Sequence, residues 1–304
     1  MVGKKQVFVL TRFSSDAFIE FQHSDHEKQI ERFANYLRML IEQQPAQSTR
    51  NLILSEAAKA LGHLARVGGT LTANFVDAEV RKALDWLVGD RIEHKRLAAC
   101  LVLGRLAVEA PSMFTPQLSS FLDHIWVPIR DPKQHIREAA ACSLHSVLEL
   151  ISKRAWKWRL SWYFKIYSEA MKGFKSPSPE IIHGHLLVLG TLVKCSGQFM
   201  LARFKESCET ILSYKDNKSE TVRSEVISLL PVMASYCPEA FSIAFLTPTL
   251  THIINAMQLG QHKQIGFLSL GNLALVSALF FLVLRAIGCS LKHHAQSASN
   301  PGTH

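Results

Sequence analysis

The sequence is short of the residue groupings that build chemistry. Its six cysteines (Cys100, Cys142, Cys195, Cys208, Cys237 and Cys289) stand far apart. No pair has the close spacing of a zinc site or a thioredoxin-like motif. A chain of 304 residues, 48% of them hydrophobic, folds around its own core without disulfide staples, so reduced and mostly buried thiols are expected. The 14 histidines are scattered. His183 and His185 lie two apart, which on a helix turns them to different faces, a poor metal arrangement, and His293 and His294 fall in a polar tail. No serine or cysteine sits in a motif that marks a nucleophile. Neither a metal nor a cofactor is expected.

Acidic charge is the scarcer sign, with 25 Asp and Glu against 34 Lys and Arg and a formal net charge of +9. The basic residues are spread along the chain, as on solvated helix faces, and nucleic-acid binding is not expected. Alternating strand patterns are missing beyond the first dozen residues. The amino-terminal "MVGKKQVFVLTRF" carries an apolar run too short for a signal-peptide core, with no small-residue cleavage site after it. The expected location is the cytoplasm, with the nucleus and endomembrane surfaces as further settings.

An internal period is present. Leu-Gly-x-Leu-Ala/Val begins at Leu61, Leu103, Leu189 and Leu270, and looser copies begin at Leu144 and Leu230. The six leucines lie 42, 41, 45, 41 and 40 residues apart. Four places before them stand Ala57, Ala99, Ala140, His185, Val226 and Gly266; seven places before stand Leu54, Arg96, Arg137, Ile182, Arg223 and Lys263. A period of this length belongs to HEAT or armadillo units, pairs of antiparallel helices that cannot bury their apolar faces alone and stack into a solenoid. "IERFANYLRMLIEQ" at 30–43 has the i, i+3, i+4, i+7 apolar spacing of a first helix. "RVGGTLTANF", "VEAPSMF" and "SYCPEAF" supply the breaks between units. The expected fold is all-α: a solenoid of about six helix pairs over 28–277, flanked by atypical segments at 1–27 and 278–304.

The same register holds a charge pattern. Asp90 and Asp131 each lie six residues before an arginine, Arg96 and Arg137, and Asp216 lies seven before Arg223. An aspartate in the turn and an arginine on the second helix can pair within a unit or with the neighbouring unit. These six residues are therefore expected to form a structural ladder, since an active site would occur once and not at every repeat.

Two segments could make outside contacts. "SKRAWKWRLSWYFK" at 152–165 mixes Lys153, Arg154, Lys157 and Arg159 with Trp156, Trp158 and Trp162. Such a mixture could stack on bases or sit at a lipid interface. The favoured reading is a first helix with Trp158, Trp162 and Ile166 as its core stripe and Lys153, Arg154, Trp156, Lys157 and Arg159 as a contact patch. The uncharged run "IGFLSLGNLALVSALFFLVL" at 265–284 has the length of a membrane span. Its first half is the sixth Leu-Gly-x-Leu-Ala helix, so membrane insertion is allowed by length but not favoured.

The runs "RFANYLRMLI", "EAAKALGHLARVGGTLTANFVDAEVRKALDWLVGDR", "RLAACLVLGRLAVEAP", "IRDPKQHIREAAACSL" and "ISLLPVMASYCPEAF" together resemble the amino-terminal HEAT region of target-of-rapamycin (TOR) kinases, in order from about Arg32 to about Ala274. The resemblance implies a Ser/Thr protein kinase family with the catalytic domain at the far end of a long helical solenoid. It implies protein partners, a raptor-like accessory subunit and other members of TOR complexes, in nutrient and growth signalling. No Gly-rich phosphate loop, His-Arg-Asp loop or Asp-Phe-Gly triplet occurs in the 304 residues, so this chain is expected to be a non-catalytic scaffold. The ends, 1 to about 27 and 278–304, do not follow the family and point to a partial gene model, a read-through end or an alternative product. Competing readings are a tail-anchored membrane adaptor and a stand-alone HEAT adaptor of importin-like type.

Overall fold

Apolar residues recurring at helical spacing over one segment after another leave this chain one way to bury its surface: helix against helix. The computed structural model describes residues 26–42, 50–68, 72–89, 91–258 and 262–276. Among them every regular element is a helix, and the chain folds as an all-α, HEAT-like solenoid. The helices form six consecutive pairs. Repeat 1 is His26–Glu42 with Arg50–Gly68, repeat 2 is Ala73–Gly89 with Glu93–Glu109, and repeat 3 ends in Gln134–Ser152. Repeat 4 is Trp156–Gly173 with Pro179–Cys195, repeat 5 pairs Phe204–Ser213 with Glu220–Tyr236, and repeat 6 pairs Leu246–Gln258 with a helix over 263–276.

The first helix of repeat 3 is broken into pieces: Pro111–Phe114, a 3-10 turn at Thr115–Gln117, Leu118–His124 and Trp126–Ile129. Pro111 and Pro116 sit at the starts of two of these pieces, where a missing N–H costs nothing, and Pro128 falls within the last.

Two compact bodies result, one within 1–196 and one within 197–304. In the first, the second helix of repeat 2 lies between those of repeats 1 and 3, and that of repeat 3 packs on that of repeat 4. The register leucines Leu61, Leu103, Leu144 and Leu189 are fully buried there, with Ala57, Ala99 and Ala140 beneath them. The alanines one turn before Leu61, Leu103 and Leu144 let successive second helices approach closely, while His185 takes that place before Leu189. In the second body, the two helices of repeat 5 pack together, and the short helix Pro238–Ala244 leads into repeat 6. Leu230, Val226 and Phe241 are buried in that body.

Polar contacts at one-repeat spacing join neighbouring first helices. Arg38 Nε meets Glu79 Oε1 at 2.6 Å, Lys165 Nζ meets Asp123 Oδ1 at 2.6 Å, and Arg130 Nη2 meets Glu169 Oε1 at 2.7 Å. Lys82 pairs with Glu42.

Candidate functional site

The register arginines do one thing in common. Arg137 donates from Nη1 to the carbonyls of Asp131 (2.8 Å) and Pro132 (3.1 Å). Arg223 donates from Nη1 to Asn217 O (2.7 Å) and Lys218 O (2.9 Å), and Arg96 donates from Nη1 to Arg91 O (2.9 Å). Each folds back on the turn between its two helices and satisfies carbonyls that the turn leaves without helical donors.

The residue six places before the arginine position closes the same turn from the other side. Asp131 Oδ1 accepts from Lys133 N at 2.8 Å, and Asn217 Oδ1 accepts from Ser219 N at 2.9 Å. Ser176 Oγ accepts from Ser178 N at 3.2 Å in repeat 4, where Ile182 replaces the arginine. These are side chains bonding their own backbone two residues on, the habit of Asp, Asn and Ser in turns.

The ladder is thus distributed differently from the sequence pattern. Asp131 links two repeats through Arg96, whose Nε lies 2.6 Å and Nη2 3.4 Å from its carboxylate oxygens. To Arg137, however, it offers its main-chain carbonyl. Asp216 stands one place out of register: Asn217 takes the turn position, and Asp216 pairs with Lys215. Asp90 lies outside the described residues.

Repeat 4 meets repeat 3 through two histidines that sequence reasoning set aside. Arg137 Nε donates to His183 Nδ1 at 3.0 Å, and Arg130 Nε donates to His185 Nε2 at 3.3 Å. Both rings are buried. Burial, reinforced by the adjacent guanidinium, pushes each histidine down to about 4. They are neutral acceptors at ordinary pH. The His185 ring stacks on Trp126 at 5.6 Å, and Arg130 lies over that same indole. Between the two histidines, Gly184 sits against the Ile129 carbonyl. The arrangement is a seam between repeats, and a general base it is not.

Two thiols are suppressed as well. Burial pushes Cys195 up to about 11 and Cys208 up to about 12, so neither is a thiolate near neutrality. Cys195 Sγ lies 3.1 Å from His145 Nδ1, yet its raised pKa removes the nucleophile that such a pair would need. Among the described residues no three His, Cys, Asp or Glu side chains come together to hold a metal ion.

One surface stands out. The helix Trp156–Gly173 buries Tyr163, Ile166, Tyr167 and Ala170. The expected stripe of Trp158, Trp162 and Ile166 is therefore corrected: only Ile166 belongs to it, Trp162 is half-buried, and Trp158 is 40% exposed. The physical reason is rotation. The helix turns its more polar-tolerant tyrosines inward, where Tyr163 Oη reaches Cys195 O at 3.4 Å, and leaves the indoles at its amino-terminal end outside.

Trp156 is 43% and Phe164 52% exposed. Lys153, Arg154, Ala155, Trp156, Lys157 and Trp158 form an unbroken exposed corner between this helix and the one before it. Arg159 lies 5.1 Å over the Trp156 ring and donates to Ser152 O at 2.7 Å; Arg154 Nη2 donates to Thr115 Oγ1 at 2.8 Å. The contact-patch residues named from sequence are thus brought together at one corner, Arg159 half-buried beneath the rest.

The 265–284 run is described only to 276, as part of the last helix. Among the described residues no single helix is long and apolar enough to cross a membrane.

No protein-family model matches the chain. Over 260 residues, 85% of its length, it is 35% identical to the serine/threonine-protein kinase TOR of Oryza sativa subsp. japonica. Over 257 residues, 84% of its length, it is 34% identical to the serine/threonine-protein kinase tor1 of Schizosaccharomyces pombe. The matched segments make up 10% and 11% of those proteins, so the chain spans about a tenth of the length of the curated relatives it matches. Among solved structures, it is similar to a chain of a Kap95:Nup1 complex, with a TM-score of 0.57 at 10% identity, covering 90% of this chain and 39% of that one. That likeness is one of fold.

Proposed function

We propose, from the premise that this chain is related to the target-of-rapamycin serine/threonine kinases through their amino-terminal HEAT segment, that it is a non-catalytic scaffold for assembling TOR complexes. The observation that carries this reading is the use made of its polar residues. The register arginines and the Asp131 carboxylate are used in closing turns and joining repeats, and burial keeps His183 and His185 neutral and the Cys208 thiol protonated near neutrality. What such a stack offers outward is helix faces and corners, the parts by which repeat proteins bind other proteins. A raptor-like accessory subunit is the partner that the kinship suggests, in the cytoplasm or at endomembrane surfaces.

The test is direct. The purified chain is mixed with a purified raptor-like subunit and run on a size-exclusion column, and separately incubated with labelled ATP and substrate protein. Co-elution without phosphate transfer is the expected result. Phosphate transfer by the chain alone overturns the reading, as does separate elution under conditions where the full-length kinase binds the subunit.

A further inference from the structure

The corner at 153–158 has a composition that scaffolding does not require. Two indoles, Trp156 at 43% and Trp158 at 40% exposure, project within a run of six exposed residues that also holds Lys153, Arg154 and Lys157. Phe164, at 52%, extends the apolar surface one turn or more along the same helix. No Asp or Glu occurs between Glu149 and Glu169, a stretch with five cations: Lys153, Arg154, Lys157, Arg159 and Lys165. From a neighbouring element Asp123 meets Lys165 at 2.6 Å.

Exposing two indoles to water costs free energy that burial elsewhere would recover, and a protein–water surface gives them nothing in return. We infer that this corner docks on an anionic lipid surface, with Trp156 and Trp158 in the headgroup layer and the cations against lipid phosphates. The inference stands apart from the scaffold reading and does not depend on it.

Three features favour this partner. Indoles settle at the boundary between headgroups and acyl chains because their bodies are apolar and their N–H groups polar. Each cation close to an anionic leaflet adds its own attraction, and no carboxylate within the stretch opposes it. The corner is also the junction of two helices, exposed over six consecutive residues. Stacking on nucleic-acid bases fits less well. Arg159 already covers a face of Trp156, and Trp158 is engaged edge-to-face with Trp162 at 5.8 Å, which leaves fewer ring faces for bases.

The experiment is sedimentation of the full chain with vesicles of phosphatidylcholine alone or with roughly 30% phosphatidylserine. Expected is binding to the anionic vesicles only, weakened as salt rises toward ~1 M and the screening length falls to about 3 Å. The double variant W156A/W158A is expected to lose about tenfold in partitioning, and K153E/K157E to lose at least as much. Because Trp156 and Trp158 also touch Arg159 and Trp162, circular dichroism confirms that each variant is folded at the assay temperature, and K153E/K157E, which leaves both indoles in place, tests the same surface independently. Three results overturn the inference: no binding to anionic vesicles, equal binding to both vesicle types, and binding retained by W156A/W158A, which would move the contact to the apolar 278–284 run. A fourth does too, if polyglutamate or RNA is bound with the same affinity by parent and W156A/W158A while vesicles are ignored.

Discussion

Ser269 donates its hydroxyl to the carbonyl of Ile227 at 3.0 Å, and that carbonyl is the one that Pro231 leaves without a helical donor. In an uninterrupted helix the N–H of residue 231 would bond to residue 227; proline has none. A buried carbonyl deprived of its partner is costly, and the next repeat supplies the missing hydrogen. Pro231 lies inside Glu220–Tyr236, and both Ser269 and Ile227 are buried.

Replacing Ser269 with alanine therefore strands the Ile227 carbonyl and is expected to cost about 1–3 kcal/mol. Replacing Pro231 with alanine restores the N–H that the carbonyl lacks. The two changes should be non-additive: S269A costs less in the P231A background than alone. Urea unfolding of the parent, both single variants and the double variant measures this coupling. Equal costs of S269A in both backgrounds would show that the serine does not stand in for the missing amide.

How much of this was readable beforehand differs from residue to residue. The period was plain because each repeat must bury the same face: Leu61, Leu103, Leu144 and Leu189 all sit fully buried, and a one-residue slip would turn a leucine outward. The arginine position was legible for the same reason, since its guanidinium always meets the same turn. Its partners were only partly legible because the sequence shows charges and hides carbonyls: Arg96 pairs with Asp131 of the next unit, but Arg137 and Arg223 donate to main-chain oxygens of Asp131, Pro132, Asn217 and Lys218, which carry no letter of their own. Asn217 and Ser176 do the work of Asp131 without its charge, so a search for acids passed over them in favour of Asp216. Trp158 and Trp162 were assigned to the core stripe because they stand at helical spacing with Ile166. What decided otherwise was the pair of tyrosines one helical face away, Tyr163 and Tyr167, both buried, with Tyr163 Oη reaching the Cys195 carbonyl.

Glycines give a graded test of how closely the repeats approach. A Cβ added at Gly184 would fall 1.8 Å from the Ile129 carbonyl oxygen, where no real contact exists; at Gly104 it would meet Ser143 Cα at 3.1 Å; at Gly62 it would meet the flexible Glu109 Cγ at 3.0 Å. Alanine adds helix propensity of up to about 1 kcal/mol at each site. The expected order follows. G62A is near neutral or slightly stabilising because a side-chain end can move. G104A is destabilising by about 1 kcal/mol, and G184A by about 3 kcal/mol or more, since backbone must shift against backbone. Chemical denaturation of the three variants settles the order, and a G184A protein as stable as the parent would mean that repeats 3 and 4 are not seated as described.

Acid should loosen the seam between those two repeats before it reaches ordinary carboxylates. His183 and His185 titrate near 4 in the folded chain and near 6.5 when unfolded. Their depressed values mean that the unfolded chain binds protons over this window while the folded chain does not, so stability is full above about pH 6.5 and falls as pH drops toward 4. Charging either ring also places a cation beside a guanidinium, Arg137 for His183 and Arg130 for His185. Glu169 shifts downward too: burial alone would raise it, but hydrogen bonds from Arg130 and Lys172 prevail. Its contribution is lost in the same direction, at lower pH. Between them the two histidines should contribute a loss of several kcal/mol across the window, with an upper bound on the order of 1.4 kcal/mol per pH unit for each. Gln at 183 keeps an acceptor for Arg137 and removes the titration, so H183Q should show a shallower fall in unfolding free energy from pH 7 to 4.5 than the parent. An unchanged slope in H183Q would mean that His183 titrates alike in the folded and unfolded chain, and that burial beside Arg137 does not depress it.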